Sequence, residues 1–117
     1  MITVALGLSG CLGGETAPVT VVGKYKLQAV NGLPLPFTFP NGISLKAETI
    51  ELKDDGSFTD VAERSDGSVV NDIGTYTNYG GTVVLFDQTL GFVYQGQVEG
   101  KTMTVVVGNY SERFVRD

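Results

Sequence analysis

The residue with the clearest chemical signature is the single cysteine, Cys11, which ends the run Leu8-Ser9-Gly10-Cys11. This run matches the bacterial lipobox, in which small residues before the cysteine let the chain enter a lipoprotein signal peptidase. The thiol is then acylated, and two acyl chains give lasting membrane attachment. Residues 1–11 are therefore predicted to be a lipoprotein signal, although they lack the positive residues that normally begin one. Because Leu12 follows the cysteine, we expect export to the bacterial cell envelope, and to the outer membrane in a two-membrane host.

The same N-terminal segment allows a second interpretation, an ordered β-strand over residues 2–8. Ile2, Val4, Leu6 and Leu8 alternate strictly with smaller residues, as in a strand with one bulky face. Such a strand could pair with a sheet edge of its own molecule or of a neighbouring subunit, which would make the protein a homo-oligomer. Residues 12–19 show no periodicity and are predicted to be a tether.

Acidic residues are the second group that could do chemistry: Asp54, Asp55, Asp60, Glu63, Asp66 and Asp72. Paired carboxylates can transfer protons or bind Ca²⁺. The alternating Asp spacing of a calcium loop is absent, however, and most of these residues fall at turns or at strand positions interpreted as outward. We expect solvated side chains that discourage edge-to-edge association, and no metal site.

Other catalytic and binding signatures are missing from the sequence. It has no His, no Gly-x-Ser-x-Gly elbow, no phosphate-binding loop, no paired cysteines and no dinucleotide fingerprint. The sequence therefore predicts neither an enzyme nor a cofactor. The net charge is −5, and the eight basic residues are spread along the chain, which argues against a nucleic-acid partner.

The elements that must position these residues are β-strands. Period-2 alternation between glycine-containing turns predicts eight of them, at about 21–30, 43–53, 57–64, 69–77, 82–87, 91–98, 102–107 and 110–116. A phase slip near Glu48 indicates a bulge. The connection 31–42 holds three prolines and cannot be a central strand. Short hairpins predict an antiparallel meander, closed into an eight-stranded up-and-down barrel over residues 20–117, with a two-sheet β-sandwich as the alternative.

Several of these strand and turn motifs resemble those of bacterial lipocalin-like lipoproteins. The resemblance rests on Gly23 to Pro36, on Asp55-Gly56-Ser57-Phe58-Thr59, on Gly74-Thr75-Tyr76-Thr77 and on the final Arg113-Phe114-Val115-Arg116. It implies a barrel that can hold a small apolar ligand. Gly23 and Tyr25 take the place of the Gly-x-Trp that opens classical lipocalins, and an arginine of the last strand packs across that aromatic residue. We expect this arginine to be Arg116, with Arg113 as the alternative.

Aromatic residues on the predicted strands could line a cavity or fill a core. We expect Tyr25, Phe58, Tyr76 and Tyr94 to point inward, near a cavity of about 300 Å³ or more if the protein is a carrier. The sequence thus predicts an envelope-anchored, non-enzymatic binding module for a small apolar molecule. The alternative is a structural or interaction protein with a packed barrel, whose N-terminal strand pairs with a neighbour.

Overall fold

The computed structural model describes residues 20–117, so Cys11, the predicted strand 2–8 and the tether 12–19 lie outside the described residues. The described chain forms ten strands: β1 Gly23–Val30, β2 Leu33–Pro34, β3 Phe37–Thr38, β4 Ser44–Leu52, β5 Ser57–Arg64, β6 Val69–Tyr79, β7 Thr82–Asp87, β8 Phe92–Glu99, β9 Thr102–Val107 and β10 Tyr110–Arg116. In this range we find no helix with the length and apolar character needed to cross a bilayer.

Eight of these strands form a closed antiparallel barrel. From β4 to β10 every strand pairs with the strand that follows it in the chain. The first strand completes the circle, because β1 pairs with β10 along one edge and with β4 along the other. The predicted up-and-down barrel is therefore confirmed, and the sandwich alternative is wrong.

Short hairpins hold this meander together, and two of them are built alike. The Oδ1 atom of Asp55 accepts hydrogen bonds from the backbone N–H of Ser57, at 2.9 Å, and from its hydroxyl, at 2.6 Å. Asp66 and Ser68 repeat both bonds at the same distances in the next hairpin. These bonds hold the chain in the reversal, as Asp commonly does in turns, and hold the pKa of both exposed carboxyls below the usual range.

One end of the barrel, which we call the base, is a tightly packed apolar core. Its members are fully or almost fully buried: Tyr25, Leu27, Leu52, Val83, Val98, Met103 and Phe114. The Tyr25 hydroxyl donates a 2.6 Å hydrogen bond to the carbonyl oxygen of Val21. The guanidinium of Arg116 lies 5.5 Å from the Tyr25 ring centroid and donates to the carbonyl oxygens of Val22, Thr20 and Gly100.

The opposite end, which we call the cavity end, is partly covered by the proline-containing connection. The two-residue strands β2 and β3 pair there with β1 and β4. Phe37, Phe39 and Tyr110 form an edge-to-face cluster with ring centroids 5.2 to 5.9 Å apart. Leu45 and Val107 also belong to this end, where β4 begins and β9 finishes.

Candidate functional site

The barrel interior holds a cavity of about 190 Å³ at the cavity end. Apolar walls come from five of the barrel strands, and Phe39 of the connection borders the cavity from outside the barrel. The polar lining is unusual, because Glu48, Asp60, Asp72 and Glu112 all reach the same space. Of the described residues that line it, Arg64 alone is basic, and its side chain is exposed. The cavity is therefore strongly acidic.

With Asp87, which lies behind Asp72, these four residues form what we call the acidic cluster. They lie on five of the eight barrel strands, which are β4, β5, β6, β7 and β10. Asp60 and Asp72 are directly opposite each other on β5 and β6, and Asp87 is paired with Gly74 two residues further along β6. Glu112 approaches from β10, across the barrel. Like charges placed directly opposite each other in a sheet are destabilising, so the pairing of Asp60 with Asp72 is unfavourable when both are ionised.

The alternation of each strand places these carboxyls inside. Four members of the acidic cluster lie two residues from a buried apolar residue, as Asp60 does from Phe58 and Glu112 does from Phe114. The fifth, Asp72, lies two residues from the buried Gly74. Side chains two residues apart share a face of a strand. The expectation of solvated side chains is therefore wrong for Asp60 and Asp72, although Asp55 and Asp66 do lie exposed at hairpin turns.

Glu48 and Asp60 form a hydrogen-bonded carboxyl pair. Burial raises the pKa of Glu48 to about 11, and the hydrogen bond to Asp60 and its negative charge act in the same direction. Glu48 is therefore protonated at neutral pH and donates to Asp60. Burial also raises the pKa of Asp60, while the Glu48 hydrogen bond opposes this increase. The second oxygen of Asp60, Oδ1, is buried without a hydrogen-bond donor among the described residues.

Asp72 and Asp87 differ in how well they are satisfied. Asp87 is 1% exposed, and its Oδ1 accepts a 2.9 Å hydrogen bond from the Leu90 N–H, which fixes the turn into β8. Asp72 is 8% exposed, and its Oδ1 receives no hydrogen bond from an N–H or O–H donor of the described protein. Burial raises the pKa of Asp72 to about 6, with a smaller contribution from its hydrogen bond to the Asp87 carboxyl.

Glu112 and Tyr94 complete the polar lining. Burial, and to a lesser extent the charge of Asp60, raises the pKa of Glu112 to about 7. Burial also raises the pKa of the Tyr94 hydroxyl, and the negative charges of Asp87 and Asp72 add to that effect. Strongly shifted acids in a cavity are a common mark of a functional site, although structural networks also produce them.

The four aromatic residues expected at a cavity are divided between the two ends. Phe58 and Tyr94 line the cavity. Tyr25 lies instead in the base under Arg116, and Tyr76 is directed to the same end, where its hydroxyl donates to the carbonyl oxygen of Lys53. Tyrosine hydroxyls need a partner when they are buried, and these two find backbone carbonyls beside the base.

A glycine opposite Phe58 makes room for that ring. A Cβ atom added to Gly74 would lie 2.5 Å from the Phe58 ring and 2.0 Å from the carbonyl oxygen of Phe86. The aromatic ring thus occupies the space that a side chain at position 74 would take. It lines the cavity and also belongs to the apolar core.

The acidic cluster does not have the arrangement of a metal site. Within residues 20–117 no group of three or more acidic or cysteine side chains converges closely enough to hold a metal ion. The carboxyls are instead distributed around a space bordered on its other sides by Ile50, Leu85 and Val105. This arrangement suits a ligand that has both a polar group and an apolar body.

Comparison with known proteins adds no family to this description. No protein-family model matches the chain, and no curated protein sequence is significantly similar to it.

Proposed function

We propose that this protein is a non-enzymatic binding module that holds one small molecule in the cavity end of its barrel. The observation that supports the proposal best is the interior cavity, whose lining combines carboxyl side chains with buried apolar residues. Natural barrels of eight strands either fill their interior with side chains or hold one small ligand. Here the base is filled and the cavity end is not.

The volume of the cavity limits the size of the ligand. It is about 190 Å³, so the cavity of about 300 Å³ or more that we expect for a carrier of a drug-sized molecule is not found inside the described barrel. A cavity of about 150 Å³ is large enough for benzene. We therefore infer a ligand no larger than a single ring with a short substituent. The apolar part of the ligand would lie against Phe58 and Leu85. This position agrees with the sequence-based expectation of a small apolar ligand.

Attachment to the cell envelope through Cys11 is part of the same proposal. It is supported by the Leu8-Ser9-Gly10-Cys11 motif. Cells that express the full chain would be labelled with a fatty-acid probe, alongside a Cys11→Ala variant. We expect label on the wild-type protein alone. Equal labelling of the two proteins would exclude an anchor at this cysteine.

Binding in the cavity is tested by filling it. Ala62 lines the cavity and is only half-buried, so Ala62→Phe would occupy the space without crowding the base. Protein purified from its host would be analysed by native mass spectrometry for retained small molecules. We expect a bound molecule on the wild type and none on Ala62→Phe.

Thr59→Phe is the matched control, because it places the same ring on the outer face of β5. Thr59 does not line the cavity, and its alternation with Phe58 and Asp60 directs it outward. The control variant should retain the ligand. If neither the wild type nor the control carries any small molecule, or if Ala62→Phe retains it, the proposal is wrong.

A further inference from the structure

The acidic cluster contains buried oxygens for which the described protein provides no N–H or hydroxyl donor. Asp60 Oδ1, Asp72 Oδ1 and Asp87 Oδ2 are buried and receive no hydrogen bond from any N–H group or hydroxyl of residues 20–117, so within this range only a protonated carboxyl can donate to them. Buried polar oxygens are normally paired, because an unpaired one loses its hydration without a hydrogen bond in return. The other groups within reach of these oxygens are mostly carboxyls, which repel one another once ionised.

Asp72 is the member of the acidic cluster whose burial is least explained by a role in holding the fold together. Asp87 fixes the turn at Leu90, and Asp60 accepts a hydrogen bond from Glu48. The hydrogen bond of Asp72 is with the Asp87 carboxyl, itself an acid, yet Asp72 is more than nine-tenths buried and lines the cavity. Its unpaired oxygen is therefore the natural attachment point for a donor group on a ligand.

The charge and geometry of the cavity select the ligand's polar group. An anion would face four lining carboxyls with only the exposed Arg64 to oppose them. A wholly apolar molecule would leave the buried oxygens without donors. A metal ion would need a convergent set of ligands, which residues 20–117 do not provide. An organic cation supplies several N–H donors and a positive charge at one point.

We propose that the acidic cluster binds the ammonium group of a compact organic amine, whose apolar body lies against Ile50, Leu85 and Val105. This inference rests on the proposed function, because it assigns the chemical class of the molecule held in the cavity. Asp72 and Asp60 accept from the ammonium group on one wall, and Glu112 faces it from the other. Charge-assisted hydrogen bonds of this kind are about twice as strong as neutral ones.

The proton equilibria of the cavity agree with this geometry. Burial raises the pKa of Asp72 to about 6 and that of Glu112 to about 7, so both carry protons for part of the time near neutral pH. A bound cation favours the ionised carboxylates and therefore expels these protons. The groups that face it are the acidic cluster, Tyr94 and, at the rim, Arg64. We expect amine binding to release protons and to strengthen as the pH rises from about 5 to about 7.

The test compares three probes of one shape: benzylamine, benzyl alcohol and benzoate. Each would be titrated into the full-length protein at neutral pH by calorimetry, in two buffers of different ionisation enthalpy. We expect benzylamine to bind at least tenfold more tightly than benzyl alcohol, and benzoate not to bind. The difference between buffers should show proton release with benzylamine only.

Two variants assign the effect to the cluster. Asp72→Asn keeps the shape of the side chain and removes its charge, and it should weaken benzylamine at least tenfold while leaving benzyl alcohol within twofold. Glu112→Gln makes the same change on the opposite wall and replaces the first test if Asp72→Asn does not fold. Glu63→Gln is the matched control: Glu63 is exposed on β5 outside the cavity, and its loss should change neither affinity.

The outcomes separate this inference from the proposed function. If benzyl alcohol binds as tightly as benzylamine, and Ala62→Phe prevents both, the cavity binds ligands without regard to charge, and only the ammonium assignment fails. If benzylamine affinity is the same in Asp72→Asn, Glu112→Gln and wild type, the assignment also fails. If none of the three probes binds to the wild type, both proposals are overturned.

Discussion

The two ends of this barrel are built from the same strands, but they differ in the polarity of the side chains that point inward. At the base, inward positions are apolar and nearly without exposure, and the charged side chain of Arg116 lies at the rim with three carbonyl acceptors. At the cavity end, the next inward positions on several of the same strands carry carboxyls. Phe114 and Glu112, two residues apart on β10, belong to the two ends respectively.

This difference indicates where stability and function reside. Burying a carboxyl without a cationic partner costs free energy, and a domain of this size has only about 5 to 15 kcal/mol in total. The packed base supplies the stability that lets the cavity end keep its charged groups. Functional sites are often found where buried side chains depart from apolar packing, as these carboxyls do.

The largest expected effect is at the base. Phe114→Ala removes a ring that is fully buried against the other base residues and leaves a void, so we expect the free energy of unfolding to fall by about 3 to 5 kcal/mol. Asp72→Asn should have the opposite sign at neutral pH, with a gain of up to about 1 kcal/mol, because an amide can donate to the buried Asp87 oxygen. Chemical denaturation measures both changes. Losses of similar size in the two variants would contradict the division between the ends.

The second expected effect is a dependence of stability on pH that comes from the cavity end. Asp72 and Glu112 have folded-state pKa values of about 6 and about 7, above their usual values of 3.8 and 4.5. The native state therefore holds more protons than the unfolded state between these limits, and stability is lost as the pH rises through them. We expect these two carboxyls to lower the free energy of unfolding by about 4 kcal/mol between about pH 5 and about pH 8, and the raised pKa of Glu48 acts in the same direction.

A double variant isolates that contribution. Asp72→Asn combined with Glu112→Gln cannot titrate at these positions, so the double variant should lose less stability than the wild type over the same interval. The contribution of Glu48 and Asp60, whose pKa values are also raised, is common to both proteins. The exposed Asp55 and Asp66 do not interfere, because their pKa values are lowered and their contribution is lost only in stronger acid. Equal slopes for the wild type and the double variant would show that the two carboxyls are not buried as described.

The smallest expected effect concerns the closure of the base. Arg116→Lys keeps the charge but cannot reach three carbonyl oxygens while lying over the Tyr25 ring. We expect a loss of about 1 kcal/mol in thermal or chemical unfolding. Arg113→Lys, an exposed change on the same strand, serves as the control and should cost almost nothing. If Arg113→Lys lowers the free energy of unfolding as much as Arg116→Lys does, the contacts of Arg116 at the base do not stabilise the fold measurably.

Most of the fold could be predicted from the sequence because strand alternation and glycine turns are local signals. The strand predicted at 102–107 coincides with β9, and that at 110–116 coincides with β10. The bulge expected near Glu48 appears as a register shift between Leu45 and Ala47. Closure follows from the number of strands, since an eight-stranded meander without a partner leaves two free edges.

The acidic cluster was not predicted, although its signal is present in the sequence. Asp60 and Asp72 were assigned to the outside because acidic residues are rarely buried, and this general preference outweighed the local alternation. The position of Asp60 two residues after Phe58 is the better guide. The meeting of Glu112 with the acids of β4, β5 and β6 is a long-range consequence of closure, and periodicity within one strand cannot reveal it.

The hydrogen bonds of Arg116 also show at which end of the barrel the described chain begins and ends. They bring the backbone of Thr20 and Val22 beside the last strand, so the described chain enters and leaves at the base. The cavity opens at the other pole. If Cys11 carries a lipid, the chain that leads to the anchor joins the barrel at the end opposite the cavity.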